Sequence, residues 1–160
     1  MPPKRKRAGD AMTTAIRFLS YRDRSVREVE ERLRLRGFSP EEIGPTLKRL
    51  MEGGYLDDER FAKNTAEMRV RTKNWGPGKI AMELSSKGIS REIAAAVLSQ
   101  IDGPGEAEVA RRELRSWARK TKTQITGNKG FARAYRHLLA RGFSSHVIME
   151  LLRKPGPGDA

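Results

Sequence analysis

The sequence contains no cysteine, and this absence excludes disulfide bonds, thiolate metal sites and a thiol nucleophile. We therefore expect a protein of the reducing cytoplasm. Long apolar runs are also absent, since no stretch reaches the roughly eighteen apolar residues that a membrane-spanning helix requires. The basic amino-terminal segment lacks the apolar stretch of a signal peptide, so we expect no membrane partner.

Histidine, a frequent metal ligand and acid–base catalyst, is scarce. His137 and His146 are the only histidines, and both are expected at the surface or at its boundary rather than as zinc ligands. The acidic run Asp57-Asp58-Glu59 has the oxygen ligands that a divalent cation prefers. It follows a Gly-Gly turn and opens a predicted helix, so we expect helix capping and no metal site.

The segment from Trp75 to Lys79 looks like a phosphate loop, but it lacks the four-residue spacer between glycines and is followed by Ile80 instead of a hydroxyl residue. It is expected to start a helix, whose N-terminus beside Lys73 stays a candidate site for a phosphate or carboxylate. Because no convergent catalytic set is present, we predict no catalytic residue, no cofactor and no enzymatic activity.

The charge balance indicates an anionic partner. Lysine and arginine total 33 against 20 aspartate and glutamate residues, which gives a formal charge of +13. Such a balance favours a nucleic acid or an acidic protein surface as the partner. With 37% hydrophobic and 33% charged residues, several thinly cored units are more plausible than one thick core. Sustained two-residue alternation is missing, so the predicted fold class is all-α.

An internal repeat is visible around Gly37, Gly88 and Gly142. A glycine can adopt the left-handed conformation after a helix, and a serine hydroxyl can cap the next helix. Each unit therefore contains a helix, a glycine stop, a serine start and a second helix, with a further helical pattern upstream. Leucine lies four residues before each glycine and serine two residues after it (Leu33, Leu84, Leu138; Ser39, Ser90, Ser144).

Clusters of glycine and proline divide the chain into three predicted three-helix units. These units span residues 11–56, 57–101 and 104–154, between a disordered basic arm at 1–10 and a flexible tail at 155–160. No long heptad pattern is present, so a monomer is expected.

Two local features complete the helix prediction. Phe61, Thr65 and Met68 have the spacing of the apolar stripe on the first helix of the second unit. Residues 127–130, Gly-Asn-Lys-Gly, are predicted to form a turn between helices.

Two cationic regions are candidates for binding an anionic partner, although a solvated helix face has the same composition. The first contains Trp75, and the second contains Trp117, which is expected in the core rather than as a stacking platform. Arginine can bind phosphate or carboxylate with two hydrogen bonds, and lysine supplies a point charge. The candidate residues are Lys63, Arg69, Arg71, Lys73, Lys79 and Lys87, followed by Arg111, Arg112 and Arg115. The second region also contains Arg119, Lys120 and Lys122.

One ungapped segment resembles a known family. The segment from Gly54 to Ala62, together with the opening from Arg17 to Ser25, is similar to the signature of the bacterial RecX family. The resemblance is strong over about residues 12–101 and looser beyond. The matching motif residues are Gly54, Tyr55, Leu56, Asp57, Asp58 and Phe61.

This resemblance implies three tandem three-helix repeats, each similar to a helix-turn-helix, in a curved and elongated array. It also implies regulation of the RecA recombinase: such a protein lies in the groove of the RecA filament on single-stranded DNA and restrains ATP hydrolysis, strand exchange and repressor cleavage. Contact with single-stranded DNA would then occur through RecA, with weak direct binding. The alternative is a stand-alone DNA-binding protein or transcription regulator that uses the helix pairs on duplex DNA.

Overall fold

The computed structural model describes residues 9–153, and this part of the chain is helical without any strand. The helix ends follow from local sequence signals such as serine and aspartate N-caps. In chain order the helices are α1 (Ala11–Leu19), α2 (Val26–Leu35), α3 (Pro40–Glu52), α4 (Asp58–Lys73), α5 (Pro77–Ser86), α6 (Arg91–Ser99), α7 (Glu106–Thr121), α8 (Gly127–Ala140) and α9 (Ser145–Arg153). The predicted fold class is confirmed.

The helices pack in three successive triplets, α1–α3, α4–α6 and α7–α9, and each triplet encloses its own small core. Leu33, Leu84 and Leu138 lie at the centre of the three cores and are fully buried. Val70 of α4 contacts the cores of both the second and the third triplet. Three thin cores in tandem explain how a chain with so little apolar content folds. We call the triplets repeats 1, 2 and 3.

The predicted capping signals are present at the helix ends. Ser25 and Ser39 each form a capping box with the glutamate three residues later, and Pro40 occupies the first turn of α3. Gly37, Gly88 and Gly142 have φ values of 84°, 77° and 90°, the left-handed conformation that ends the second helix of each repeat.

The second helices of neighbouring repeats meet end to end. In the 1–2 joint, the Ser25 hydroxyl at the start of α2 donates to the Lys87 carbonyl at the end of α5, at 2.6 Å. In the 2–3 joint, the Gly76 amide at the start of α5 donates to the Arg141 carbonyl at the end of α8, at 2.8 Å. A donor at a helix start, a hydroxyl in one joint and a backbone amide in the other, thus satisfies a free carbonyl at a helix end. The helices α8, α5 and α2 form one column that joins the three repeats.

The apolar stripe of α4 differs from the prediction. Phe61 is buried as expected, but the other buried residues are Ala62 and Ala66, and Met68 is 41% exposed. The alanines allow close helix packing, because α4 lies directly against α6. The predicted stripe followed the helical spacing of the larger side chains. It therefore lay one residue position away from the small alanines that make the contact.

The predicted turn at residues 127–130 is wrong, because these residues form the first turn of α8. Gly130 is buried, and a Cβ atom there would lie 2.7 Å from the Gln124 carbonyl oxygen. Glycine is thus required by a close backbone approach rather than by a chain reversal. The predicted arm and tail lie outside the described residues, apart from residues 9 and 10 of the arm.

Candidate interaction surface

Arg69, the central cation of the first candidate region, is engaged within the fold. Its guanidinium donates to both carboxylate oxygens of Glu83 on α5, at 2.7 and 2.6 Å, and it is only partly exposed. The hydrogen bonds from Arg69 to Glu83 raise the pKa of Arg69 above its ordinary value. This two-point ion pair ties α4 to α5, so a partner that bound Arg69 with two hydrogen bonds from Nε and Nη2 would first have to displace Glu83.

Trp75 lies between two of the candidate cations. The Arg69 guanidinium carbon is 5.0 Å and the Lys79 ammonium 4.4 Å from the centre of its ring system. Its indole nitrogen is buried without a hydrogen-bond partner within the described residues. Cation–π contacts on the ring mean that Trp75 organises Arg69 and Lys79 and is not a free stacking platform.

Two further cations of the first region are paired with carboxylates. Lys87 lies 3.5 Å from Glu28 across the 1–2 joint, and Lys63 lies 3.9 Å from Glu67 one turn along α4. Lys87 therefore belongs to the contact between repeats, whereas the exposed Lys63 pair is weak.

Arg71 and Lys73 are the cations of the first region that stay available. Both are exposed at the carboxyl end of α4, and neither has an ion-pair partner among residues 9–153. The next residue, Asn74, has the left-handed conformation and ends the helix. The end of α4 thus presents two adjacent free charges near the 2–3 joint.

The second candidate region on α7 is mostly paired as well. Arg111 contacts Glu108 at 2.6 Å, and Arg115 lies 4.0 Å from the same glutamate. Arg112 is partly buried, and its Nε and Nη2 atoms have no partner within the described part of the chain. Arg111 and Arg115 are both exposed, and the side chain of Arg115 is the more exposed of the two.

A larger free basic surface lies further along repeat 3. It takes in the end of the second cationic region of the sequence, from Arg119 to Lys122, and continues beyond it to cations that the sequence prediction did not name. No aspartate or glutamate occurs between Glu113 and Glu150, so the cations in this span have few neutralising neighbours. That acid-free span is a sequence signal that could have found the surface. The exposed cations there without an ion-pair partner in the described range are Arg119, Lys120, Lys122, Lys129, Arg133 and Arg136.

Glu113 organises the 2–3 joint from inside α7, a role that sequence reasoning missed. It is 5% exposed, and its carboxylate contacts His137 at 2.8 Å, Arg141 at 3.2 Å and the side-chain amide of Asn74 at 3.5 Å. The His137 ring also stacks on Trp117, with 4.7 Å between ring centres. A buried carboxylate thus holds residues from both repeats.

The N-terminus of α5 is not an anion site in this fold. The amides of Gly76 and Gly78 donate to the carbonyls of Arg141 and Gly142, at 2.8 and 2.9 Å. Because both amides already donate to carbonyls of repeat 3, they cannot bind an anion. The candidate phosphate or carboxylate site at the start of α5 is therefore excluded.

The acidic run at the start of α4 caps helices, as predicted. Asp57 accepts from the Arg60 amide at 3.1 Å. Asp58 accepts from the Val26 amide at 2.9 Å, at the start of α2 in repeat 1. Burial raises the pKa of Asp58 above its ordinary value, against the effect of that hydrogen bond. Within residues 9–153 no group of His, Asp or Glu side chains is arranged to hold a metal ion.

The family-motif segment links repeat 1 to repeat 2. Gly54 has φ 76°, and Leu56 and Phe61 are buried in the cores of repeats 1 and 2 respectively. Tyr55, in contrast, is 62% exposed beside the turn. Most of the motif therefore has a structural role.

The comparisons with known proteins agree with this architecture. The model of the first RecX three-helix domain matches residues 11–50, and the model of the second matches residues 57–98. The regulatory protein RecX of Chlorobium phaeobacteroides is 36% identical over 144 residues, which are 89% of this chain and 91% of the relative. This chain belongs to the RecX family.

Other RecX proteins match over similar lengths. The regulatory protein RecX of Legionella pneumophila is 31% identical over 145 residues, covering 90% of this chain and 93% of its own. The crystal structure of RecX from Lactobacillus salivarius superposes with a TM-score of 0.80 over 89% of this chain and 92% of that one, at 24% identity. That likeness shows a common fold. In the described part of this RecX-family chain, no helix has the length and apolarity to cross a membrane.

Proposed function

We propose that this RecX-family chain regulates the RecA recombinase by binding the RecA filament on single-stranded DNA, most simply as an inhibitor without chemistry of its own. Family membership carries the proposal, since its relatives are named regulatory proteins. A basic array of repeats with a net charge of +13 suits an acidic protein groove that also contains DNA.

The pairing of the cations narrows the proposed contact surface. Arg69, Lys87 and Arg111 hold carboxylates of this chain, whereas Arg71 and Lys73 at the end of α4 have none within the described residues. An unpaired exposed cation can bind a carboxylate or phosphate without first breaking an internal contact. We therefore assign Arg71 and Lys73 the leading role. The secondary contacts are the exposed Lys63 and Arg115 and the partly exposed Lys79 and Arg112.

The test is RecA ATPase activity on single-stranded DNA, titrated with this protein at fixed salt. We expect inhibition at stoichiometric ratios or below. Reversing both free charges (R71E/K73E) should raise the concentration for half-inhibition about tenfold, because two lost surface contacts amount to roughly 1.4 kcal/mol.

The matched control is R34E/R36E, which reverses two exposed charges with the same spacing on repeat 1. It changes net charge equally, so we expect half-inhibition close to that of the wild type. If the wild type leaves the ATPase rate unchanged, the proposed function is wrong. If both variants weaken inhibition equally, the end of α4 is not a specific contact.

A second candidate function is direct DNA binding, favoured by the acid-free basic surface of repeat 3. Its unpaired cations are suited to binding phosphates. On single-stranded DNA, each phosphate that is neutralised adds about −0.7 to the slope of the logarithm of the binding constant against the logarithm of the salt concentration. Tight binding of naked DNA with a steep salt slope would favour this candidate, whereas a filament regulator should need RecA for tight association.

A further inference from the structure

The two joints between repeats use equivalent positions. Ser25 and Gly76 each precede the glycine that ends their helix, Gly37 and Gly88, by the same number of residues. Both N-cap positions are buried, and each receives the end of the second helix of the following repeat. At Gly76 the approach is so close that a Cβ atom would lie 2.5 Å from the carbonyl carbon of Gly142.

Gly130 is the equivalent position in repeat 3, since it precedes Gly142 by the same interval. It is buried like the other two, yet no repeat follows it in the described chain. Its close neighbour is the backbone of its own chain: a Cβ atom there would lie 2.7 Å from the Gln124 carbonyl oxygen. A Cβ atom on Gly76 would likewise lie 2.6 Å from the Gly142 carbonyl oxygen, so a carbonyl of the chain's own loop takes the place of a carbonyl of the following repeat.

The opposite end of the column is open. Gly37 ends α2 in the same left-handed conformation as Gly88 and Gly142, but a Cβ atom on Gly37 would meet no atom of residues 9–153 within 4 Å. In the joints, the corresponding Cβ atoms would meet Arg27 and Lys79 of the preceding repeat. Among the described residues, the column therefore has a free helix end at Gly37. At its other end, α8 begins three residues earlier, at Gly127, so that its own first turn and the preceding loop cover the position of Gly130.

We propose that residues 123–129 are a built-in cap, which occupies the place of a further repeat on α8 and thereby prevents a second copy from stacking its Gly37 end there. Without the cap, the contact would be head to tail and would leave a new free end on every copy. Such heterologous contacts extend into open filaments rather than closed dimers. The cap keeps the array at three repeats and the chain monomeric.

The test removes the cap and measures mass by sedimentation equilibrium. Replacing residues 123–129 with one tryptophan gives the α7–α8 connection the length of the Asn74–Trp75 connection between α4 and α5. We expect the wild type to stay at 18.0 kDa at all concentrations. The weight-average mass of the capless variant should at least double as its concentration rises.

The matched control adds G37A to the capless variant, which places a Cβ on the stacking end where the two joints have none. This double variant should return to the monomer mass. Association that persists with G37A, or a capless variant that stays monomeric while helical by circular dichroism, would overturn the proposal. So would a wild type that associates through Gly37.

A second variant keeps the proposal testable if the deletion does not fold. G130S displaces the Gln124 backbone without shortening the chain, and Ser25 shows that serine is accepted at this position of a joint. We expect faster amide hydrogen exchange at residues 123–127 and the same Gly37-dependent association. Unchanged exchange and a monomer mass would overturn the cap.

Discussion

The 1–2 joint and the 2–3 joint place the same helix ends against each other with different chemistry. The 1–2 joint relies on side chains. The Ser25 hydroxyl donates to the Lys87 carbonyl, and Glu28 forms ion pairs with Arg22 of repeat 1 and Lys87 of repeat 2. The 2–3 joint relies on the backbone, with the amide of Gly76 donating to Arg141. The two joints thus have the same arrangement of helix ends although different contacts support them. We therefore expect glycine substitution to affect mainly the 2–3 joint and low pH to affect mainly the 1–2 joint.

The largest expected effect comes from Gly142→Ala in the 2–3 joint. The new Cβ would collide with the backbone of Lys79 and would also hold alanine at φ 90°. Left-handed strain and backbone displacement together should lower the free energy of unfolding by about 3 kcal/mol. Urea denaturation followed by circular dichroism measures this loss.

Equivalent glycines provide the controls for that measurement. Gly37→Ala has the same strain but no neighbour, so about 1 kcal/mol is expected. Gly88→Ala should lie between the two, because the Arg27 Cγ and Cδ atoms can rotate away, whereas Arg27 Cβ, 2.6 Å from the new atom, moves only with its backbone. Equal losses at Gly37 and Gly142 would contradict a backbone-supported 2–3 joint.

The second effect tests the one charged group that is buried in the 2–3 joint. Glu113→Ala leaves Arg141, His137 and the Asn74 amide without their acceptor, so a loss of about 2 kcal/mol is expected. The control is Glu108→Ala on the same helix, where an exposed pair with Arg111 contributes at most about 0.5 kcal/mol. A Glu113 variant as stable as the Glu108 variant would remove this carboxylate from the joint.

The smallest effect separates the joints by pH. Burial acts to raise the pKa of Glu28, but hydrogen bonds from Arg22 and Ser25 and the charge of Lys87 outweigh it and lower the pKa below its ordinary 4.5. The ionised carboxylate therefore stabilises the folded state above pH 4.5, and this contribution is lost as the pH falls through the folded-state pKa.

Glu28→Gln should cost about 1.5 kcal/mol at neutral pH, and the difference from the wild type should shrink towards zero below the folded-state pKa. Urea denaturation across this pH range is the measurement. Glu30→Gln, on the solvent face of the same helix, should differ little from the wild type at any pH. A constant difference for Glu28→Gln would show that its charge is not what supports the 1–2 joint.

The features that sequence predicted well are local. Glycine after a helix and serine before the next helix act through backbone groups a few residues away, so Gly37, Gly88, Ser25 and Ser39 could be placed without a structure. The number and order of the helices followed from these signals. The role of Gly130 did not, because its neighbour is a loop carbonyl rather than a sequence pattern.

The candidate surface was harder to predict, because a cation's availability depends on partners that are distant in the chain. Arg69 looked like Arg71 in the sequence, yet Glu83 lies against Arg69 and leaves Arg71 free. Likewise, nothing local marked Glu113 as the partner of His137 and Arg141. Tertiary contacts divided a uniform basic run into internal ion pairs and free charges. The bounds of the three units and the assignment of contact residues stay predictions.

In the column of second helices, the start of each helix contacts the end of a helix that the ribosome makes later. Ser25 finds its acceptor on Lys87, 62 residues later, and Gly76 waits likewise for Arg141. The acceptor of each joint is thus made only with the following repeat. During synthesis the contact from Ser25 can therefore form before the contact from Gly76, and a nascent chain that ends before Lys87 lacks the acceptor for Ser25.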